Sequence, residues 1–261
     1  MTFSLDHFRL DRKVAIVTGA GGRANSIGRA YALGLADAGA SVVVADIKAE
    51  GAQNVRDEIV SAGGKAIAVG VDITKPDSVQ HMATAATDAF GGVDILVNNA
   101  ALMAELGYLP AIDIPIDQWN RILEVNLTGA LICAQAIVPL MRKRGGGKII
   151  NQVSGGAFPA LSVYGVGKLA LVGLTTTLAR QLGREKINVN AIAPGNTMSD
   201  AGKMLTPDES PFVKMLEATV AMRVRGQPDE LVGALLLLCS PAGDWITGQV
   251  LHVDGGWVLR P

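Results

Sequence analysis

The sequence has 261 residues, 49% of them hydrophobic, so it can bury a large core, and we expect one α/β domain over residues 1–261. The formal net charge of −1, with Lys and Arg scattered along the chain, excludes the basic footprint of a nucleic-acid-binding protein. The N-terminal residues lack a signal-peptide pattern, and no apolar stretch is predicted to be long enough for a membrane span. We therefore expect a cytoplasmic protein with no membrane partner.

The first predicted elements are a strand at Lys13–Thr18, a glycine-containing loop and a helix at Ile27–Ala38. Gly19 and Gly22 allow the loop to turn sharply, and Gly28 allows the helix to pack closely against the sheet. The free N–H groups at the start of such a helix, together with its dipole, form a site for a pyrophosphate. A tight turn without a ligand is the alternative interpretation.

The second predicted strand, Ser41–Ala45, ends at Asp46. An acidic residue at this position can accept hydrogen bonds from both ribose hydroxyls of adenosine and repels a 2′-phosphate. The sequence therefore favours NAD over NADP. Arg23 in the glycine loop argues the other way, because an Arg near the ribose can pair with that phosphate.

The strand–helix pattern then repeats, with helices at Lys48–Ala62 and Lys75–Phe90 and strands at Ala66–Val71 and Val93–Val97. This alternation predicts a parallel sheet wound with right-handed crossovers.

Polar and small residues follow the third and fourth strands, namely Asp72, Ile73, Asn98, Asn99 and Ala100. They fall at strand carboxyl ends, where open α/β sheets bind ligands. Asp72 could accept a hydrogen bond from an adenine amino group, or it could serve only as a turn or cap residue.

The second half of the chain continues the alternation. It contains a long amphipathic segment at Ile116–Arg144, a helix at Leu169–Leu182, a helix at Glu230–Cys239, and strands at Lys148–Val153, Ile187–Ile192 and Gln249–Val253. We expect a Rossmann fold, that is, a doubly wound seven-stranded parallel sheet with helices on both faces. Asn126 lies within the long segment. The amide of an inward-facing Asn there either has its hydrogen bonds satisfied at a kink in the helix or binds a functional water molecule.

Tyr164 and Lys168 are four residues apart at the start of a predicted helix, so they share a face. A nearby ammonium favours the phenolate and lowers the tyrosine pKa, which suits acid–base chemistry. By itself the pair is a weak signal, and a partly buried Tyr beside a surface-reaching Lys is the alternative. Ser154 follows the fifth strand and so lies at the same sheet edge as the glycine loop.

The remaining chemistry-bearing side chains point to no other class of site. Cys133 and Cys239 lie in apolar helical patterns without a nearby Cys or His, so we expect buried, reduced thiols. His7, His81 and His252 are far apart in sequence and fit no metal-ligand spacing, and no metal is expected.

Taken together, these signals resemble the short-chain dehydrogenase/reductase family from Lys13 to about Trp257. The matching features are TGA with Gly28, Asp46, Asp72, NNA at 98–100, Asn126, Ser154, Tyr164 with Lys168, Pro194-Gly195, and the terminal ITGQVLHVDGG. Two features depart from the family pattern. Gly28 stands nine residues after Gly19, with Ser26 in place of the middle glycine of TGxxxGxG, and NNAA replaces the usual NNAG.

The elongated, Ser-containing loop also looks like the enoyl reductase branch of the family. Those enzymes space Tyr and Lys more widely, so the spacing here favours a carbonyl/alcohol enzyme.

The resemblance implies hydride transfer between a nicotinamide and a carbonyl or carbinol carbon. It implies Tyr164 as general acid/base, Lys168 as the group that lowers its pKa and holds the nicotinamide ribose, Ser154 as a partner of the substrate oxygen, and Asn126 as the anchor of a proton-relaying water. The predicted cofactor-binding residues are Gly19, Gly22, Ser26, Ile27, Gly28, Asp46, Asp72, Ile73, Asn98, Ala100, Tyr164, Lys168, Pro194, Gly195 and Thr197. Whether Thr197 or Ser199 bonds the carboxamide stays open.

The stretch 197–222 falls where the family keeps a mobile substrate lid. Met103, Phe158 and Met204 are expected to line an apolar substrate pocket, and the short Ser154–Tyr164 connection should press Phe158 and Pro159 on the substrate. The leading hypothesis is an NAD-dependent dehydrogenase of an apolar secondary alcohol or ketone, with cyclic compounds included, and the family implies a homotetramer. The rivals are an NADPH-dependent 3-oxoacyl thioester reductase and a non-catalytic nucleotide-binding scaffold.

Overall fold

The computed structural model describes residues 4–103, 110–158, 160 and 162–259. Its centre is a seven-stranded sheet in which every pairing is parallel. The strands are Val14–Thr18 (β1), Ser41–Asp46 (β2), Lys65–Gly70 (β3), Ile95–Asn98 (β4), Gly147–Gln152 (β5), Ile187–Pro194 (β6) and Val250–Val253 (β7). Their order across the sheet is β3-β2-β1-β4-β5-β6-β7. This confirms the predicted Rossmann fold, and the order reverses between β1 and β4, which places a crevice beyond their carboxyl ends.

Helices cover both faces of the sheet. They are Ile27–Asp37 (α1), Ala49–Ser61 (α2), Pro76–Phe90 (α3), Ile116–Leu123 (α4), Gly129–Arg144 (α5), Val163–Leu182 (α6), Asp200–Leu205 (α7), Pro211–Thr219 (α8) and Val232–Cys239 (α9). Short 3₁₀ turns occupy Leu5–Phe8, Gly155–Ala157, Gly183–Glu185, Pro228–Leu231 and Pro241–Gly243.

Alternate residues of the strands pack into two apolar cores, one on each face of the sheet. On one face Ile16, Val43 and Leu96 pack with α3 and α5, and on the other Val17 and Val44 pack with α1, α2 and α9. Because both faces are covered, β1 is buried at every position. The strands therefore appear in the sequence as continuous apolar runs, and their predicted bounds differ from the observed ones by two residues or fewer.

The stretch Asp200–Met222 contains two helices, α7 and α8. Pro211 stands at the first turn of α8, where its fixed φ and missing N–H are tolerated. The helix expected at Glu230–Cys239 also starts differently, with a 3₁₀ turn before α9.

The segment Ile116–Arg144 is one continuous helix containing a π-helical turn at Glu124–Thr128. By length and composition it could cross a membrane, so the expectation that no apolar stretch reaches that length is wrong. Core helices of soluble proteins share this length and composition. Here Cys133, Ile137 and Met141 of α5 are buried in the core.

Candidate active site

A cleft of about 360 Å³ lies at the carboxyl edge of the sheet, where the strand order reverses. Twelve of the predicted site residues line it, and these are Gly19, Gly22, Ser26, Ile27, Gly28, Asp46, Asp72, Ile73, Ala100, Met103, Tyr164 and Lys168. Residues from five separate parts of the sequence therefore face one another across a single opening.

The glycine loop is tightly built at the floor of this cleft. Gly19 has φ +68°, and a Cβ there would lie 2.6 Å from Ala100 Cα, so only glycine fits. A Cβ on Gly28 would lie 2.3 Å from the Gly19 carbonyl oxygen. Asn99 fixes the turn by donating from Nδ2 to the carbonyl oxygens of Thr18 at 2.8 Å and Gly19 at 3.0 Å.

The start of α1 follows directly. Ser26 is its N-cap, and its Oγ accepts from the Arg29 N–H at 3.2 Å. Ile27 and Gly28 then bring the first turn of α1 to the cleft. The positive end of the helix dipole lies at this turn, which is the electrostatic requirement for holding a pyrophosphate.

Asp46 stands at the end of β2 and is buried. Its two carboxylate oxygens accept backbone N–H groups, from Gly21 at 2.9 Å and from Lys48 at 2.9 Å. A Cβ on Gly22 would come within 3.5 Å of Asp46 Oδ2, so the absence of a side chain there keeps the space beside the carboxylate open. Arg23 and Lys48 also line the cleft.

Asp72 makes a local turn as well as lining the cleft. Its Oδ1 accepts from the Thr74 N–H at 2.9 Å and from Thr74 Oγ1 at 2.7 Å. The hydrogen bond from the Thr74 hydroxyl is the main cause that lowers the pKa of Asp72. Asp72 therefore serves the turn and lines the cleft at the same time.

Lys168 is fully buried on α6, and its Nζ donates to the backbone oxygen of Gln152 at 2.7 Å. The same Nζ lies 5.6 Å from the centre of the Tyr164 ring. Burial lowers the pKa of Lys168 to about 7. Burial also raises the pKa of Tyr164, whereas the sequence predicts a lowered value. The expectation is wrong for this structure, because the desolvation cost of a phenolate acts in the opposite direction from the neighbouring amine.

Asn126 lies in the π-helical turn and is buried. Its Nδ2 donates to the Leu102 carbonyl oxygen at 2.9 Å, and its Oδ1 accepts from the Leu102 N–H at 2.9 Å. Of the two alternatives drawn from the sequence, the helix distortion is present. The side chain holds the chain after β4 in place, and it does not line the cleft.

Ser154 follows β5 and caps the 3₁₀ turn Gly155–Ala157, with Oγ accepting from the Gly156 N–H at 3.1 Å. The next residue in the loop, Phe158, packs on His252 with ring centres 4.7 Å apart. Phe158 therefore does not line the cleft as predicted, because its ring finds an aromatic partner near the C-terminus. Pro159 lies outside the described residues.

Asn98 was also predicted to bind the cofactor, but its side chain does not line the cleft. Its side chain is buried, and Nδ2 donates to Asn151 Oδ1 at 2.9 Å, between β4 and β5. The Asn151 amide in turn donates to Thr175 Oγ1 at 2.9 Å. Asn98 thus links the two strands and α6 inside the core, while its neighbour Asn99 lines the cleft.

Pro194, Gly195 and Thr197 close β6 beside the cleft without lining it. Thr197 is buried, and its Oγ1 donates to the Gly195 carbonyl oxygen at 3.1 Å. Of the two residues left open by the sequence, Ser199 is the one that lines the cleft. Met204 is 58% exposed, its sulfur accepts from Arg23 Nη1 at 3.1 Å, and it does not line the cleft.

Several further residues line the cleft without having been singled out from the sequence, among them Arg121, Gln152 and Ala201. Gln152 is the most informative, because its backbone oxygen holds Lys168 and its Oε1 accepts from the buried Tyr31 hydroxyl at 2.7 Å. A polar residue at the end of the apolar strand KIINQ was the available signal.

Both cysteines are buried and unpaired, as predicted. Burial raises the pKa of Cys133 to about 12, so its thiolate is not populated near neutral pH. Within the described parts of the chain, no cluster of three His, Cys, Asp or Glu side chains could hold a metal ion.

Comparisons with known proteins identify the family of the chain. A family model described as Enoyl-(Acyl carrier protein) reductase matches residues 22–258. An uncharacterized oxidoreductase of Mycobacterium tuberculosis is 47% identical over 250 residues, covering 96% of this chain and 99% of the relative. The 7alpha-hydroxysteroid dehydrogenase of Escherichia coli is 41% identical over 260 residues, covering 98% of each.

Among solved structures, a 7alpha-hydroxysteroid dehydrogenase in complex with NADH and 7-oxo glycochenodeoxycholic acid superposes with a TM-score of 0.91. It is 39% identical, and 99% of each chain is covered. These matches extend over nearly the whole sequence and the whole sheet. The chain belongs to the short-chain dehydrogenase/reductase family of oxidoreductases.

Proposed function

We propose that this oxidoreductase is an NAD(H)-dependent dehydrogenase that interconverts an apolar, cyclic secondary alcohol, of the hydroxysteroid type, and its ketone. The observation that carries the proposal is that one cleft is lined at one end by the Asp46 carboxylate and at the other by Tyr164 and Lys168. The similarity to hydroxysteroid dehydrogenases supports the substrate class.

The residues present fit a dinucleotide. The Gly22 backbone keeps the space beside Asp46 open, and the α1 N-terminus offers a positive dipole end between the two ends of the cleft. Asp46 would accept the ribose hydroxyls and disfavour an added 2′-phosphate. A bound nicotinamide cofactor supplies or accepts the hydride.

Tyr164 is the proposed proton donor and acceptor. In the absence of ligands its raised pKa keeps the phenol protonated, which is the state required to donate to a carbonyl oxygen during ketone reduction. For alcohol oxidation the phenol must lose its proton, and the amine of Lys168, with a pKa of about 7, is the neighbouring group able to accept one. Ser154 is proposed to orient the substrate oxygen from the adjoining loop.

Several apolar residues line the proposed substrate side of the cleft. Ala101, Leu102 and Met103 line it after β4, and Ala201 lines it from α7. Such a wall suits a hydrocarbon skeleton better than a charged one. We propose residues 197–222 as the lid over this side.

Steady-state assays of the purified protein with a panel of cyclic secondary alcohols, including a 7α-hydroxysteroid, test the proposal. The expected result is reduction of NAD⁺ with at least one ring alcohol. The kcat/KM for NAD⁺ should be roughly 100-fold above that for NADP⁺, which is about the discrimination expected from one misplaced buried charge. Straight-chain alcohols of equal carbon number serve as matched substrates and should react more slowly.

A 3-oxoacyl thioester reductase using NADPH remains the second candidate. Arg23 and Lys48 favour it, since both line the cleft next to Asp46 and could hold a 2′-phosphate. Faster turnover of a 3-oxoacyl thioester with NADPH than of any ring ketone with NADH would replace the leading proposal.

A further inference from the structure

The glycine loop and the lid are joined by three hydrogen bonds between Asn25 and residues 198–200. The Asn25 N–H donates to Asp200 Oδ2 at 2.9 Å, and the Asp200 N–H donates back to the Asn25 carbonyl oxygen at 2.8 Å. The Asn25 side-chain Nδ2 donates to the Met198 carbonyl oxygen at 2.9 Å. We refer to this set of bonds as the Asn25–Asp200 clasp.

The clasp uses the elongated part of the glycine loop. Gly28 stands nine residues after Gly19, and Asn25 is one of the residues in this longer connection. In this position Asn25 reaches a segment 175 residues further along the chain. A loop without those residues would lack the side chain that bonds Met198.

The clasp joins two opposite walls of the cleft. Ser26, next to Asn25, lines the cleft from the dinucleotide side, and Ser199 and Ala201, on either side of Asp200, line it from the lid side. Asn25 and Asp200 themselves do not line the cleft. The bond from the Asn25 N–H therefore leaves the cleft-facing turn around Ser26 and Gly28 for the pyrophosphate.

The other contacts of the lid fasten it to different parts of the fold. The Met198 N–H donates to the Gly226 carbonyl oxygen at 2.8 Å, and the Met222 N–H donates to the Gly255 oxygen at 2.9 Å. These bonds hold both ends of the lid to the C-terminal part of the chain. Among the described residues, the clasp joins the lid to the glycine loop, and the bond between Arg23 and the Met204 sulfur adds a weaker contact.

We propose that the Asn25–Asp200 clasp holds the lid against the dinucleotide loop and thereby slows dissociation of the nicotinamide cofactor. Asn25 and Asp200 are positioning residues in this proposal, since neither lines the cleft. The proposal depends on a nicotinamide cofactor, which the family uses, and not on the preference for NAD or on the substrate. Its failure is therefore distinguishable from that of the proposed function.

Two substitutions at one position provide a matched test. Asp200→Ala removes the acceptor for the Asn25 N–H, whereas Asp200→Asn keeps an oxygen in the same place. Stopped-flow fluorescence should show reduced cofactor dissociating about tenfold faster from Asp200→Ala than from the wild type, as expected for loss of a hydrogen bond to a charged acceptor. Asp200→Asn should stay within about threefold of the wild type, because a neutral acceptor makes a weaker but intact bond.

The measurement uses NADH or NADPH, whichever the wild type binds more tightly. Asn25→Ala, which removes only the bond to Met198, should accelerate dissociation by about threefold. This variant also provides the test if Asp200→Ala does not fold. Hydrogen exchange gives an independent readout, since the cofactor should protect the amides of 198–205 in the wild type and in Asp200→Asn more than in Asp200→Ala.

Unchanged dissociation rates in both Asp200→Ala and Asn25→Ala would overturn the proposal. Slower dissociation from Asp200→Ala would also overturn it, because it would show that the carboxylate repels the cofactor phosphates. A rate that rises equally in Asp200→Ala and Asp200→Asn would assign the effect to the negative charge and not to the clasp.

Discussion

The Nζ of Lys168 donates a 2.7 Å hydrogen bond to the backbone carbonyl oxygen of Gln152, at the end of β5. The strand end, and not the Tyr164 hydroxyl, therefore holds the amine in place. Burial in this position lowers the pKa of Lys168 to about 7. A lysine kept in such a site lowers stability at neutral pH, because the unfolded chain binds a proton there that the folded chain binds weakly.

Lys168→Met should therefore abolish turnover and stabilise the fold. A methionine of similar length removes the desolvation cost, and we expect the free energy of unfolding at pH 7.5 to rise by about 2 kcal/mol. Urea denaturation followed by circular dichroism measures the change. Lys143→Met, at an exposed position of α5, serves as the control and should shift stability by less than about 0.5 kcal/mol.

The difference in free energy of unfolding between Lys168→Met and the wild type should depend on pH with a definite sign. Between the folded pKa of about 7 and the ordinary lysine value of 10.5, the unfolded wild type carries more protons than the folded one. The free energy of unfolding of the wild type therefore rises with pH through that window. The extra stability of Lys168→Met should shrink between pH 7.5 and pH 10. An advantage that grows with pH would contradict the assigned burial of the amine.

Tyr164→Phe removes the hydroxyl proposed to exchange the substrate proton and keeps the ring that lies near Lys168. We expect kcat to fall by about 10³-fold or more, in the upper range for loss of a general acid, with the cofactor dissociation constant changed by less than about threefold. Steady-state kinetics and fluorescence titration measure the two effects. Turnover within tenfold of the wild type would show that another group moves the proton.

Asp46→Ala tests the choice between NAD and NADP. The substitution removes the acceptor for the Gly21 and Lys48 N–H groups, which should weaken both cofactors alike. It also removes the carboxylate proposed to accept the ribose hydroxyls of NAD and to repel a 2′-phosphate, so NAD should lose more affinity than NADP. The ratio of the two kcat/KM values is therefore the informative quantity, and we expect it to move toward NADP by about 10- to 100-fold.

Two controls accompany this measurement. Asp88→Ala removes an exposed carboxylate on α3, away from the cleft, and should leave the cofactor ratio unchanged. Arg23→Ala should reduce any residual use of NADP, because Arg23 lines the cleft near Asp46. If the ratio responds to Arg23→Ala and not to Asp46→Ala, the arginine and not the carboxylate sets the preference.

The sheet and its ligand-binding edge could be predicted from the sequence because parallel strands buried on both faces are continuous apolar runs. The polar residues that interrupt those runs, such as Asp46 after β2, then fall at one edge. The Tyr164–Lys168 pair could be placed for a similar local reason, since helical spacing alone puts both on one face.

Residues in irregular segments could not be placed this way, because distant partners set their side-chain directions. Phe158 packs on His252, 94 positions later, and Asn98 pairs with Asn151 across two strands. No local pattern contains either partner. The lowered tyrosine pKa also failed as a prediction, since the sequence shows the neighbouring cation but not the extent of burial.

The C-terminal segment supports the loop that carries Ser154, and this support can be tested at Gly155. A Cβ on Gly155 would lie 2.8 Å from Trp257 Cε3 and 3.2 Å from the Pro194 carbonyl oxygen. Gly155→Ala should therefore push the 3₁₀ turn away from the ring and displace Ser154, its N-cap. We expect a loss of about 1–3 kcal/mol of stability and a roughly tenfold fall in kcat/KM, because the substitution overpacks a closely filled site.

A double-mutant cycle separates this steric cause from a general effect on the loop. Trp257→Leu shortens the side chain that opposes the new methyl group, so it should restore part of the kcat/KM lost in Gly155→Ala while costing stability on its own. Gly173→Ala on α6 provides the control, since a Cβ there meets no atom within 4 Å and should stabilise the helix by about 0.5–1 kcal/mol without changing kinetics. Additive effects of Gly155→Ala and Trp257→Leu on kcat/KM would show that the ring does not set the position of Ser154.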